Sequence, residues 1–97
     1  MSLRNERVRK ELMRDISDIL RKEVRGLEGV VSIVDVEVSH DNSYAKVYYS
    51  VLGSPEQIEK DKAIVEKNTG KVRFEIGKRI RLRVTPEIKF IYSDGLE

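Results

Sequence analysis

The chain has 97 residues, 37% charged and 39% hydrophobic, and no cysteine. That allows one domain, residues 1–97, around a small core, and it excludes disulfide frameworks, thiol nucleophiles and cysteine-based zinc sites. Nineteen Lys and Arg against 17 Asp and Glu leave a formal charge of +2, too close to balance to select a partner. No apolar stretch reaches the roughly 18–20 residues that span a bilayer, and the N-terminal residues lack a signal-peptide apolar run, so a soluble cytoplasmic protein is expected.

From Asn5 to Arg25, Val8, Leu12, Ile16, Ile19, Leu20 and Val24 recur at helical spacing among charged residues, which predicts an amphipathic helix stopped by Gly26 and Gly29. Between Val30 and Ser39 the period becomes two, with Val34, Val36 and Val38 on one face and Asp35, Glu37 and Ser39 on the other. His40-Asp41-Asn42-Ser43 supplies a turn, and Tyr44 to Leu52 alternates again, with Ala45, Val47, Tyr49 and Val51 opposite Lys46, Tyr48 and Ser50. The two strands make a hairpin.

After Gly53, Ser54-Pro55-Glu56-Gln57 spells a capping box with proline at the first helical position. The helix it opens carries Ile58, Ala63, Ile64 and Val65 and runs to Asn68-Thr69-Gly70, where two residues tolerant of left-handed geometry predict a kink. A third helix from about Lys71 shows Val72, Ile76 and Ile80 on one face, and Pro86 stops it. Ile88, Phe90 and Tyr92 then alternate through a last strand, Glu87 to Tyr92. The expected class is α+β, in the order α-β-β-α-α-β, with helices covering one face of a three-stranded sheet. These signals do not determine the strand order.

The bland net charge resolves into unlike segments. Residues 71–83 carry six basic residues and one acidic, whereas residues 27–53 carry one basic and four acidic. Lys71, Arg73, Lys78, Arg79, Arg81 and Arg83 thus form a concentrated run beside the kink, the footprint of an anion-binding surface. Lys71 and Arg73 fall near the start of a helix, where the macrodipole disfavours cations, which argues that something other than local stability selected them. On a continuing helix Lys71, Phe74, Lys78 and Arg81 lie away from the apolar side, a basic stripe with one ring fit to follow a nucleic-acid backbone and stack on a base. The competing interpretation makes the cations a solvated face and packs Phe74 against the first helix. Arg79 and Arg83 lie nearer the apolar side.

Catalytic signatures are missing. His40 stands alone in a turn, and there is no phosphate-binding glycine loop, paired-carboxylate set or serine-histidine arrangement, so neither an enzyme nor a metal, cofactor or small-molecule site is expected. Tyr44 and Tyr48 share a strand face with Lys46 and offer a small aromatic-basic patch.

The order of elements and the kinked helix pair resemble a type II KH domain, an RNA-binding module. Lys67-Asn68-Thr69-Gly70 stands where the glycine-rich KH loop would be, without its first glycine. Particular words sharpen the resemblance: Arg4-Asn5-Glu6-Arg7-Val8, Val36-Glu37-Val38-Ser39 with Asp41, Tyr44-Ala45-Lys46-Val47-Tyr48, and Gly70-Lys71-Val72-Arg73 through Gly77, Ile80, Leu82-Arg83 and Pro86-Glu87-Ile88 to Tyr92. Over residues 4–93 these resemble the ribosome-binding factor A family, in which an Ala-x-Gly kink replaces the KH loop. Asn68 departs from that alanine, and the sequence ends at Glu97 where many members continue into a tail.

The resemblance implies a monomeric, non-catalytic, cytoplasmic assembly factor. Such a factor binds the small (30S) ribosomal subunit and its 16S rRNA late in maturation, assists 5′-end processing and matters in the cold. RNA contacts are expected from Lys71, Arg73, Phe74, Lys78, Arg79, Arg81 and Arg83, with Arg4, Arg7 and Arg14 as a second contact. The alternative function is a KH-like protein-interaction module that touches no RNA and docks its partner through a sheet edge or the first helix.

Overall fold

The computed structural model describes residues 3–94 and has the expected order, α1 (Leu3–Glu23), β1 (Val30–Val38), β2 (Tyr44–Leu52), α2 (Pro55–Lys67), α3 (Thr69–Arg79) and β3 (Glu87–Tyr92). The sheet order is β1-β2-β3. β1 and β2 pair antiparallel across their short turn, whereas β2 and β3 are parallel, from Tyr44 opposite Glu87 to Tyr49 opposite Tyr92. A parallel neighbour requires the chain to travel back along the sheet, and α2 and α3 are that return path.

The periodicities that define the elements also define the core. Val8, Leu12, Ile16, Ile19 and Leu20 of α1 are buried together with Ala45, Val47, Tyr49 and Val51 of β2, Val72 and Ile76 of α3, and Ile88 and Phe90 of β3. Tyr49, 1% exposed, anchors the aromatic part of this core, meeting Phe90 and Tyr92 edge to face at centroid distances of 5.9 and 5.6 Å. The Ser54 cap forms as expected: Gln57 N–H donates to Ser54 Oγ at 3.2 Å and Ser54 N–H to Gln57 Oε1 at 2.9 Å.

Three expectations need correction. Val34 does not share a face with Val36 and Val38: the register slips between Ile33 and Asp35, and Val34 is 47% exposed. One extra residue in a period-two strand exchanges its faces, so Val31 and Ile33 point inward before the bulge and Val36 and Val38 after it. In α2, Ala63 is exposed and the inward stripe runs through Asp61 and Val65, with Ile58 and Ile64 partly buried against the core. α3 begins at Thr69 rather than Lys71, and the kink is the single residue Asn68 at φ −97° and ψ 11°. Neither Asn68 nor Gly70 adopts a left-handed angle; among the described residues only Asn42 and Gly26 have positive φ.

Asp61 is wholly buried and is satisfied by backbone: Glu28 N–H donates to Oδ1 at 2.9 Å and Gly29 N–H to Oδ2 at 2.8 Å. The carboxylate thereby ties the α1–β1 connection to α2. Gly29 is confined there, since a Cβ would sit 2.7 Å from the Leu52 carbonyl oxygen. Asp61→Ala removes the partner of two part-buried donors and is expected to cost about 1–3 kcal/mol. The measurement is a fall in the urea midpoint at unchanged m-value, and an unaltered midpoint would count against this anchor.

Candidate nucleic-acid interface

The α2–α3 junction is built from side chains that close the first helix while the second starts. Asn68 N–H is shared between the Ile64 and Val65 carbonyls at 3.1 and 3.2 Å, Asn68 Nδ2 donates to Ile64 O at 2.8 Å, and Thr69 Oγ1 donates to Glu66 O at 2.8 Å. No side chain caps the start of α3. A Cβ on Gly70 would meet nothing within 4 Å, so the backbone of the first turn lies open on that side.

The cations of the expected basic run separate into two sets. Lys71, in the first turn, donates from Nζ to Glu23 O at 2.8 Å, placing its charge at the C-terminal end of α1, the negative pole of that helix. Arg73 donates from Nε to Pro86 O at 3.1 Å and from Nη2 to Thr85 O at 3.0 Å, clamping the connection to β3. Arg79 Nη1 reaches Asp18 at 2.8 Å and Asp15 at 4.0 Å and joins α3 to α1. This hydrogen bond holds the Asp18 carboxyl below the usual carboxylate range and raises the Arg79 guanidinium. Tertiary contacts therefore account for Lys71 and Arg73 without a bound anion, because their partners come from distant parts of the chain.

The other set faces outward. Phe74 is 66% exposed, which removes the alternative of packing against α1. Lys78 Nζ sits 4.8 Å from the centre of its ring and 3.3 Å from Glu75. Phe74, Lys78, Gly70, Arg73, Gly77 and Thr85 line a shallow groove of about 620 Å³. Gly77 permits that shape, since a Cβ there would come within 3.0 Å of Thr85 Oγ1.

Arg81 does not continue the α3 stripe. The helix ends at Arg79, and Ile80 is already extended at φ −112° and ψ 122°. Arg81 and Arg83 lie instead in the α3–β3 connection, beside Asp41 and Asn42 of the hairpin turn. Neither makes an ion pair among the described residues.

On α1, Arg7, Lys10 and Arg14 line one exposed groove with Glu6 and Glu11; the side chain of Arg4 lies outside the described residues. Lys10 belongs to this stripe at i+3 from Arg7 and i−4 from Arg14, a spacing the sequence already shows. Arg9 points elsewhere, to Glu6 at 2.6 Å and Asp35 at 2.9 Å. His40 is exposed in its turn, and no group of three or more His, Asp or Glu is placed to hold a metal ion among the described residues. Nor is any described helix long and apolar enough to cross a membrane. Tyr48 sits with Val34, Ile91 and Tyr92 in a depression on the open sheet face bordered by Asp35 and Glu37. Lys46 lies 3.8 Å from Glu37, so the expected aromatic-basic patch has its charge opposed.

Residues 4–97 match the family model for ribosome-binding factor A. The chain belongs to the ribosome-binding factor A family. Ribosome-binding factor A of Natranaerobius thermophilus is 42% identical over 98% of this chain and 73% of its own length. The solution structure of a candidate ribosome-binding factor A from Thermotoga maritima superimposes with TM-score 0.77 at 33% identity, over 95% of this chain and 89% of that one. Coordinates of Thermus thermophilus ribosome-binding factor A, fitted into an electron cryo-microscopy map of a 30S complex, give TM-score 0.75 over 91% of this chain and 93% of theirs. At 16% identity that last likeness concerns the fold alone. In this member of the ribosome-binding factor A family, Asn68 holds the kink by bonding back into α2.

The Arg79–Asp18 contact gives a pH test. A carboxyl whose pKa is lowered by folding contributes stability above its ordinary value near 3.8, and that contribution disappears as pH falls through the lowered value. In Arg79→Ala the Asp18 carboxyl is expected to titrate closer to its ordinary range, followed by carboxyl NMR. Titration unchanged by the substitution would show that Arg79 does not hold it.

Proposed function

We propose that this chain is a non-catalytic ribosome assembly factor that binds the small (30S) subunit and its 16S rRNA during late maturation and assists processing of the rRNA 5′ end. It works in the cytoplasm as a monomer and as one KH-like domain, with its greatest importance in the cold. Binding is the whole mechanism, since occupying one conformation of the rRNA shifts its folding equilibrium by the difference in affinity. Family membership supports the ribosomal partner, as does the 30S complex of the Thermus thermophilus protein.

The observation that carries the RNA reading is Phe74, a phenylalanine left 66% exposed beneath a lysine in a fold whose other helix apolar stripes are buried. An exposed ring beside cations suits stacking on an unpaired base, worth about 1–3 kcal/mol. Lys78 supplies charge beside it, with Arg81 and Arg83 in the α3–β3 connection and Arg7, Lys10 and Arg14 on α1. Lys71, Arg73 and Arg79 hold α3 to α1 and to the β3 connection, and Arg73 also lines the groove beside Phe74.

With about six phosphates neutralised, affinity for small subunits should fall by roughly 10²–10³ between 50 and 200 mM salt. Lys78→Ala with Arg81→Ala and Arg83→Ala should abolish co-sedimentation with purified small subunits at the higher salt while leaving the unfolding transition in place. Phe74→Ala should weaken binding with an unchanged salt slope. A flat salt response together with full binding by the triple variant would favour the protein-interaction alternative, which the acidic-apolar depression around Tyr48 would serve.

A further inference from the structure

A second cleft, of about 320 Å³, lies where the β1–β2 turn meets the α3–β3 connection, and it is lined by Asp41, Asn42, Arg81, Leu82, Arg83 and Val84. It shares no lining residue with the groove on α3. Its walls are chemically unlike one another. Arg81 and Arg83 are exposed and make no ion pair among the described residues, even with Asp41 in the same cleft. Val84, 60% exposed, and half-buried Leu82 add an apolar surface.

Asp41 is held in place rather than free. Ser39 Oγ donates to its Oδ1 at 2.9 Å, Ser43 Oγ at 2.7 Å and Ser43 N–H at 3.1 Å. These bonds pull its pKa down to about 2, so it is an acceptor only at every physiological pH. The turn around it is fixed by Asn42 at φ 62° and by the Asn42 N–H donating to Ser39 O at 3.0 Å.

A simple anion site would not include an ionised carboxylate, and an apolar pocket would not include two unpaired guanidinium groups. A nucleotide has matching parts: an anionic phosphate, a base face to lie on apolar atoms, and a base edge to hydrogen-bond. Guanine is the one standard base whose Watson–Crick edge offers two adjacent donors, N1–H and N2–H₂, to one carboxylate. Adenine and cytosine set an acceptor beside their amino group, and uracil sets its single N–H between two carbonyls. We propose that this cleft takes a guanine nucleotide of a single RNA strand, with the phosphate on Arg81 and Arg83, the base against Val84 and Leu82, and its two donors on Asp41 Oδ2, the carboxylate oxygen that the Ser39 and Ser43 donors leave open.

The proposal rests on the RNA reading above and names a base for one part of that surface. The test is fluorescence anisotropy of the full chain with labelled oligoadenylate decamers carrying a central guanosine, inosine or adenosine. Guanosine should bind about tenfold tighter than adenosine, the discrimination of one bidentate base contact, with inosine, which lacks the N2 amino group, in between. Asp41→Asn should bring guanosine to the adenosine level and leave adenosine unchanged. Arg81→Ala with Arg83→Ala should weaken all three strands and lower the salt slope by about 1–2.

Equal binding of the three strands by the unsubstituted protein, or a guanosine preference that survives Asp41→Asn, would overturn the assignment. The inosine series needs no substitution and decides the matter even where Asp41→Asn loosens the turn. A protein that binds none of the strands and fails to sediment with small subunits overturns the RNA reading as well, whereas equal binding overturns the cleft alone.

Discussion

The parallel pairing of β3 with β2 obliges the chain to leave one end of the sheet, travel its full length and re-enter at the other, and most other features follow from that path. α2 and α3 carry the chain back across one face, so that face holds the core and the opposite face stays open. The junction at Asn68 bends the return into two helices short enough to fit. At re-entry, Glu87 N–H donates to Ser43 O at 3.0 Å, which brings the α3–β3 connection against the hairpin turn. The cleft holding Arg81, Arg83 and Asp41 exists because of this closure. So does the Arg73 clamp, since the Thr85 and Pro86 carbonyls it grips belong to the segment that must reach β3.

Charge in this molecule does two kinds of work that composition cannot separate. Lys71, Arg73 and Arg79 satisfy carbonyls and carboxylates contributed by α1 and the β3 connection, and each fixes α3 against a neighbour. Lys78, Arg81 and Arg83 point outward. The first set makes the second effective, because an exposed cation on a loosely held helix or connection would lose entropy on binding that a fixed one does not.

Two buried features show where local pattern and packing part company. The bulge at Val34 reverses the faces of β1 midway, keeping Val31 and Ile33 inward alongside Val36 and Val38, although a strict alternation would expose one pair. Asp61 occupies a core position on α2 that its charge conceals from any hydrophobic count. Its two backbone donors, Glu28 and Gly29, lie more than thirty residues away in the chain.

By itself the sequence determined the elements, their order, the Ser54 cap, the inward faces of α1, β2, α3 and β3, and the concentration of cations in residues 71–83. Those signals are local, set by periods of 3.6 and 2, by turn residues and by charge along the chain. Only the tertiary structure decided the strand order, the bulge, the burial of Asp61 and which cations are engaged by other parts of the chain. Each of these depends on a partner brought close by the crossover, and a hydrogen bond between residues 23 and 71, or 28 and 61, leaves no trace in the spacing of either segment.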